Sequence, residues 1–210
     1  AEAALLVMPH VPVVPAGIEW RLDRIQFREL VARPGDGAPG PDGIPYGAWR
    51  LAGVDIMDFS FEAYEAFLDG VPLPEGFNDR LIVSIPKGDE AGDCGIVAWT
   101  PATTRPISLS DTASKFFALA VNYPLAQAAQ VTVHLRQRGF VAGSSITDDV
   151  VDIDGFGQSY ATAAAEDPGI LLFDLFAALR RSAHPWLFVL LRFMRVPACF
   201  FWPIQALAPG

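Results

Sequence analysis

The sequence predicts an α+β fold in which helices hold most of the residues and a small antiparallel hairpin supplies the strands. Apolar residues recur at helical spacing in several segments, and two short runs rich in isoleucine and valine are typical of strands. Hydrophobic residues make up 51% of the 210 residues and charged residues 19%, which excludes a chain that is disordered throughout. The 18 glycines and 18 prolines also predict long connections between the elements.

Two helices are predicted in the first third of the chain. The first covers residues 22–33, where apolar side chains recur at helical spacing. Residues 34–45 are rich in glycine and proline and form a loop by composition. A short second helix over residues 61–68 is predicted to end at Gly70, because glycine accepts the left-handed conformation of a helix cap.

The hairpin is predicted from two strands that follow the second helix. They cover residues 81–85 and 95–99, and an acidic turn over residues 88–93 joins them. Both strands are short and rich in β-branched residues, as expected for a small antiparallel pair.

Two further helices and one strand are predicted in the second half. Ser110 is a candidate N-cap for a helix that Pro124 should kink or end, and another helix is expected near residues 146–153. Residues 169–175 form a continuous apolar run with one charge, Asp174, which is typical of a strand buried on both faces. From the residues alone, Asp174 could cap the next helix or pair with an arginine.

The most apolar window, residues 186–204, predicts a buried pair of helices broken at Pro197 and not a membrane span. Arg192 and Arg195 lie near its centre, and each would cost about 2.5–3.5 kcal/mol in the middle of a bilayer. No membrane partner is therefore expected.

Charge and motif content exclude several classes of function. The net charge is −9, which argues against a free-standing nucleic-acid binder held by phosphate neutralisation. Cys94 and Cys199 form neither a disulfide framework nor a Cys-x-x-Cys metal motif, so a reduced intracellular setting is the default expectation, in the nucleus or the cytoplasm if the reading frame is expressed. The sequence also lacks a Gly-x-Ser-x-Gly elbow and a phosphate-binding glycine loop.

Five segments follow one another in an order that points to a known family. They are residues 38–46 (APGPDGIPY) with Trp49, 74–87 (PEGFNDRLIVSIPK), 105–110 (RPISLS) with Lys115, 137–148 (QRGFVAGSSITD), and 171–178 (LLFDLFAA) with the segment from His184 to Met194. In this order they resemble the reverse transcriptases of non-LTR, LINE-like retrotransposons. The resemblance extends from about Ile18 to the end of the sequence.

The resemblance implies a polymerase architecture and a division of the chain. Residues 1–36 would be a leader with an amphipathic helix, and residues 37–168 a mostly helical fingers region that contains the hairpin. Residues 169–210 would be the start of a palm, with its first strand and helix. The implied family activity is RNA-directed DNA synthesis, a nucleotidyl transfer.

The resemblance also implies roles for five residues. Asp174 matches the first carboxylate that holds the two catalytic ions, Mg²⁺ or Mn²⁺, in this family. Lys87 and Arg105 match positions that bind the triphosphate of the incoming dNTP. Arg136 and Arg138 would contact an RNA or DNA template.

The sequence departs from the family pattern after Asp174. The family continues with Ala-aromatic-Asp, whereas this chain has Ala178, Leu179 and Arg180, and the Arg180-Arg181 pair could neutralise Asp174. The sequence ends before the family's aromatic-Ala-Asp-Asp turn, which supplies the remaining carboxylates. We therefore expect a truncated domain that does not bind metal productively and is inactive alone.

Two alternatives stay open at this stage. The first is a non-catalytic protein-interaction module derived from the fingers region, which pairs with another chain or with itself through the incomplete palm. The second is an active enzyme whose remaining carboxylates come from a separate chain.

Overall fold

A computed structural model describes residues 10–33, 37–87, 100–163, 169, 171–173 and 183–207. The chain divides into two compact units. The first comprises Arg21–Asn122 and Cys199–Gly210, and the second comprises Ala1–Trp20 and Tyr123–Ala198. The described residues form seven helices and one two-stranded antiparallel sheet, so the predicted α+β class is confirmed.

The elements are, in chain order, α1 (Arg24–Ala32), α2 (Tyr46–Leu51), α3 (Val54–Leu68), β1 (Arg80–Pro86), β2 (Thr104–Ser110), α4 (Thr112–Thr132), α5 (Ile146–Ala163), α6 (His184–Phe193) and α7 (Phe201–Leu207).

Helix α1 forms where the apolar spacing predicted it. Its N-cap, Asp23, accepts a hydrogen bond from the backbone N–H of Gln26 at 2.7 Å, and the Gln26 side chain accepts one from the Asp23 N–H at 2.9 Å. This reciprocal pair satisfies two backbone donors at the start of the helix. Phe27, Leu30 and Val31 form the buried face.

Helix α3 ends as predicted but begins earlier. The Gly70 φ angle is +94°, its N–H donates to the Phe67 carbonyl at 3.1 Å, and the Val71 N–H donates to the Ala66 carbonyl at 3.0 Å. These two bonds are those of a Schellman cap, so the prediction for Gly70 is confirmed. The helix starts at Val54, upstream of the predicted start. The apolar pattern did not reveal its first two turns, because their apolar side chains are exposed and form no buried stripe.

Aromatic rings form the core of the first unit. The Tyr64 side chain has no exposed surface, and its ring stacks on Phe27 with centroids 5.3 Å apart. Phe117 of α4 meets Tyr64 edge to face at 6.1 Å. The Tyr64 hydroxyl donates to the Ala120 carbonyl at 3.4 Å, and burial raises the pKa of this phenol. The core therefore joins α1, α3 and α4.

Ion pairs also join α1 to α3. The Asp58 carboxylate accepts a hydrogen bond from the Arg28 guanidinium and lies 3.1 Å from Arg24 Nη1. Arg24 also lies 3.5 Å from Glu62 and sits over the Phe61 ring. The hydrogen bond from Arg28, the largest cause, and the contact with Arg24 lower the pKa of Asp58.

The substitution Asp58→Asn should make the free energy of unfolding less sensitive to acidic pH. Because the Asp58 pKa is lower in the folded chain than in the unfolded one, its charge stabilises the fold above the unfolded pKa of about 3.9, and that contribution is lost as the pH falls through the folded value. Urea unfolding at neutral and strongly acidic pH should show a smaller loss for the variant than for the wild type. Asp55→Asn, in the first turn of the same helix, is the control. Equal losses for Asp58→Asn and the wild type would contradict the prediction.

The hairpin has a different second strand from the predicted one. β1 covers the first predicted strand, but it pairs antiparallel with β2. The other predicted strand, residues 95–99, lies outside the described residues. Pro106 argues against a strand by composition, yet it is tolerated here because both strands of a two-stranded sheet are edge strands.

Helix α4 begins close to the predicted cap and passes through Pro124. The Lys115 N–H donates to the Asp111 carbonyl at 3.1 Å, which is the first helical bond, and the helix continues to Thr132. Of the two outcomes expected of Pro124, a kink or an end, the end is therefore excluded. The Pro124 side chain is fully buried, and the alanine-rich residues that follow it favour helix.

The predicted palm strand is corrected where the structure describes it. Leu171, Leu172 and Phe173 form no strand and are 76–84% exposed, because the described residues of the second unit contain no strand that could pair with them. Helices α6 and α7 lie on either side of Pro197, as predicted, but the expectation that they are buried is wrong, since Leu191 and Pro203 are their only buried residues. In the described ranges, no helix is long and apolar enough to cross a membrane.

Candidate functional site

The hairpin brings Lys87 and Arg105 to the same end of the sheet. Ile85 lies directly opposite Arg105, and the Lys87 N–H donates to the Thr103 carbonyl at 2.8 Å, which extends the ladder by one pair. Residues opposite each other share a face, and so do their diagonal neighbours at about 7–8 Å. Lys87 and Arg105 are such diagonal neighbours, and both are exposed.

The face that carries these two cations is otherwise apolar. Leu81, Val83, Ile85 and Ile107 lie on it and are 37–52% exposed. Neither β1 nor β2 contains an acidic residue. A lysine offers a compact point charge and an arginine a planar fork, so this end of the hairpin has donors suited to phosphate oxygens.

The acidic segment that follows Lys87 in the sequence includes Asp89 and Glu90, and it lies outside the described residues.

The loop of the first motif segment packs against the start of α4. Gly40 approaches the Asp111 backbone so closely that a Cβ atom on Gly40 would lie 2.4 Å from the Asp111 Cα atom. The Thr112 hydroxyl donates to the Ile44 carbonyl at 3.0 Å and accepts a hydrogen bond from Trp49 Nε1 at 2.7 Å. The Lys115 ammonium of the third motif segment donates to the Ala38 carbonyl of the first at 3.2 Å, so the two segments are in contact, at the opposite end of β2 from Arg105.

The second motif segment is fixed to two helices through Asn78. Its side-chain carbonyl accepts a hydrogen bond from the Ser114 hydroxyl at 2.9 Å, and its amide donates to the Ala206 carbonyl at 2.9 Å. Arg80, at the start of β1, donates to the Leu207 carbonyl at 3.0 Å. These bonds anchor the base of the hairpin and leave the end with Lys87 exposed.

Sequence reasoning quoted Asn78 and Trp49 as motif residues but assigned them no role. Their partners are distant in sequence, so only the fold shows that they hold the motif segments together.

The structure does not describe the predicted metal ligand, because Asp174 lies outside the described residues. Within the described ranges, no group of three or more His, Cys, Asp or Glu side chains could hold a metal ion.

The two arginines predicted to contact template have different surroundings. Arg138 lies 3.1 Å from the Asp149 carboxylate and 2.6 Å from that of Asp152, and its side chain is only 19% exposed. The Asp152 hydrogen bond is the largest cause that raises the Arg138 pKa. Arg136 is exposed and sits over the Phe156 ring at 5.7 Å. A template phosphate would have to compete with two aspartates for Arg138.

Comparison of the chain with models of known protein families and with curated proteins finds no match to either. The relation to reverse transcriptases is therefore a proposal that depends on the motif segments and on the hairpin geometry.

Proposed function

We propose that this polypeptide is the fingers part of a reverse transcriptase domain of the non-LTR retrotransposon type, which binds a nucleoside triphosphate but does not polymerise by itself. One observation carries the proposal: Lys87 and Arg105 come from separate motif segments, and the strand register makes them neighbours on one face. Two cations at the exposed end of an anchored hairpin are suited to a triphosphate chain.

The hairpin residues would bind and orient the triphosphate. Arg105 would hold two oxygens of one phosphate through its guanidinium fork, and Lys87 would contribute a single charge to a neighbouring phosphate. A metal ion would neutralise the triphosphate and stabilise the attacking and leaving oxygens. Among the described residues, no group of three or more His, Cys, Asp or Glu side chains could supply its ligands.

The polypeptide alone is expected to give no primer extension with Mg²⁺ or Mn²⁺. Two-metal catalysis needs several carboxylates around the ions, and the 210 residues contain no aromatic-Ala-Asp-Asp sequence to accompany Asp174. Incorporation on an RNA template above that of a heat-denatured control would contradict this part of the proposal.

Removing the hairpin cations should abolish most of the affinity for dNTP. Hydrogen bonds to charged groups contribute about 1.5–3 kcal/mol each, so Lys87→Ala and Arg105→Ala should each weaken binding about tenfold or more. The double variant should weaken it about a hundredfold. Fluorescence anisotropy with a labelled dATP at low salt measures these affinities.

The matched control removes the same charge elsewhere in the first unit. Arg33 and Arg50 are exposed residues near the ends of α1 and α2, so Arg33→Ala/Arg50→Ala lowers the net charge equally. Its affinity should stay close to that of the wild type. If both double variants weakened dATP binding equally, the affinity would depend on net charge and not on Lys87 and Arg105, which would contradict the proposal. The absence of dATP binding by the wild type would also contradict it.

A further inference from the structure

Helix α5 exposes an apolar stripe that no described residue covers. The helix covers 18 residues, Ile146–Ala163, and none of them is buried. Ile146, Val150, Ile153 and Tyr160 recur at helical spacing and are 51–80% exposed. These four residues, here the α5 stripe, form a continuous row along one face.

Gly157 also lies in this row, and its lack of a side chain leaves a gap between the apolar side chains. A Cβ atom at this position would meet nothing within 4 Å, so the surface above the glycine is open. A residue without a side chain lets the backbone of a partner approach closely.

Negative charge borders the stripe. Asp149 and Asp152 lie along one side of it and Asp154 along the other, and the helix contains no lysine or arginine. Arg138 pairs with Asp149 and Asp152, whereas Asp154 lies on the other side of the stripe and accepts a hydrogen bond from Gln158 at 2.8 Å. A second copy of this chain would bring the same aspartates and a net charge of −9, so self-pairing is opposed by repulsion.

We propose that the α5 stripe binds a basic amphipathic helix of another protein. Its apolar side chains would lie along Ile146, Val150, Ile153 and Tyr160, and its lysines or arginines would face Asp154, on the side of the stripe away from Arg138. Helix pairing of this kind uses anchors at i, i+3, i+4 and i+7, and complementary charge fixes the orientation. This proposal does not depend on triphosphate binding at the hairpin.

Two adjacent valines provide a matched test. Val150 lies in the stripe and is 62% exposed, whereas Val151 lies outside it and is 64% exposed. The probe is a labelled 18-residue peptide of leucine and lysine with its leucines at helical spacing, titrated against the full chain. Val150→Ser should weaken binding about tenfold, and Val151→Ser should leave it within about twofold of the wild type.

A charge variant and a scrambled peptide complete the experiment. Asp154→Asn should weaken binding several-fold at low salt and have little effect at high salt, since salt screens exposed charges. Equal losses for Val150→Ser and Val151→Ser, equal binding of a scrambled peptide, or no binding would overturn the proposal. Sedimentation that shows wild-type self-association lost in Val150→Ser would assign the stripe to a second copy and would also overturn it.

Discussion

Tyr64→Ala is expected to lower the free energy of unfolding by about 3–5 kcal/mol, as large buried side chains do when truncated to alanine. The Tyr64 ring has no exposed surface and contacts Phe27 of α1, Phe61 of its own helix and Phe117 of α4. Its removal would leave a cavity between three helices that cannot all close on it. Since a domain is stable by about 5–15 kcal/mol, the variant would lose much of its stability.

Two controls separate the cavity from other effects of this substitution. Tyr64→Phe keeps the ring and removes only the hydroxyl that donates to Ala120, so it should cost about 0.5–1.5 kcal/mol. Tyr160→Ala removes a ring that is 66% exposed and should change stability by about 0.5 kcal/mol at most. Urea unfolding measures all three variants. A Tyr64→Ala loss no larger than that of Tyr160→Ala would contradict the description of the core.

Gly40→Ala is expected to destabilise the first unit by about 1–3 kcal/mol through overpacking. The added Cβ atom would lie 2.3 Å from Asp111 Oδ1 and 2.4 Å from the Asp111 backbone nitrogen. A side-chain oxygen can rotate away, but the backbone cannot, so the loop has to move. That movement would break the hydrogen bonds from the Asp42 N–H to Asp111 and from Thr112 to Ile44.

Gly47→Ala is the control for this second substitution and should have the opposite sign. Gly47 lies inside α2, and a Cβ atom there would approach only Arg50 Nη2, at 3.8 Å, which is an ordinary van der Waals distance. Alanine favours helix over glycine by about 0.5–1 kcal/mol, so thermal unfolding should occur at a slightly higher temperature. The close approach of Gly40 would be contradicted if Gly40→Ala were as stable as the wild type.

Local chemistry explains which parts of the fold were predictable. The helix cap at Gly70 and helix α1 were predicted from residues that lie within one or two helical turns of each other, and both predictions are confirmed. β2 was missed because Arg105, Pro106 and two serines hide the alternation of Ile107 and Leu109. Its pairing with β1 depends on contacts between segments that are distant in the sequence.

Local sequence signals did not decide the structure at two places. The run that contains Leu171–Phe173 reads as a buried strand, but a strand needs a neighbour, and these residues are exposed. Pro124 was expected to kink or end a helix, but α4 continues beyond it through alanine-rich residues that favour helix.

The geometry of the candidate site also could not be predicted from the sequence, because it depends on contacts between distant segments. Motif comparison named Lys87 and Arg105, but only the strand register shows that they are neighbours. Arg138 also came from a motif, and its sequence gives no sign that it pairs with Asp149 and Asp152, which lie one turn apart on α5.

A backbone-amide NMR titration of the wild-type protein with dATP, in parallel with deoxyadenosine, is the most direct test of whether the end of the hairpin binds a triphosphate. We expect dATP to shift the amide signals of Lys87, Thr103 and Arg105 in a saturable way, and deoxyadenosine, which has no phosphate, to leave them unchanged. Saturable dATP shifts confined to other residues, or equal shifts with deoxyadenosine, would contradict the proposed site.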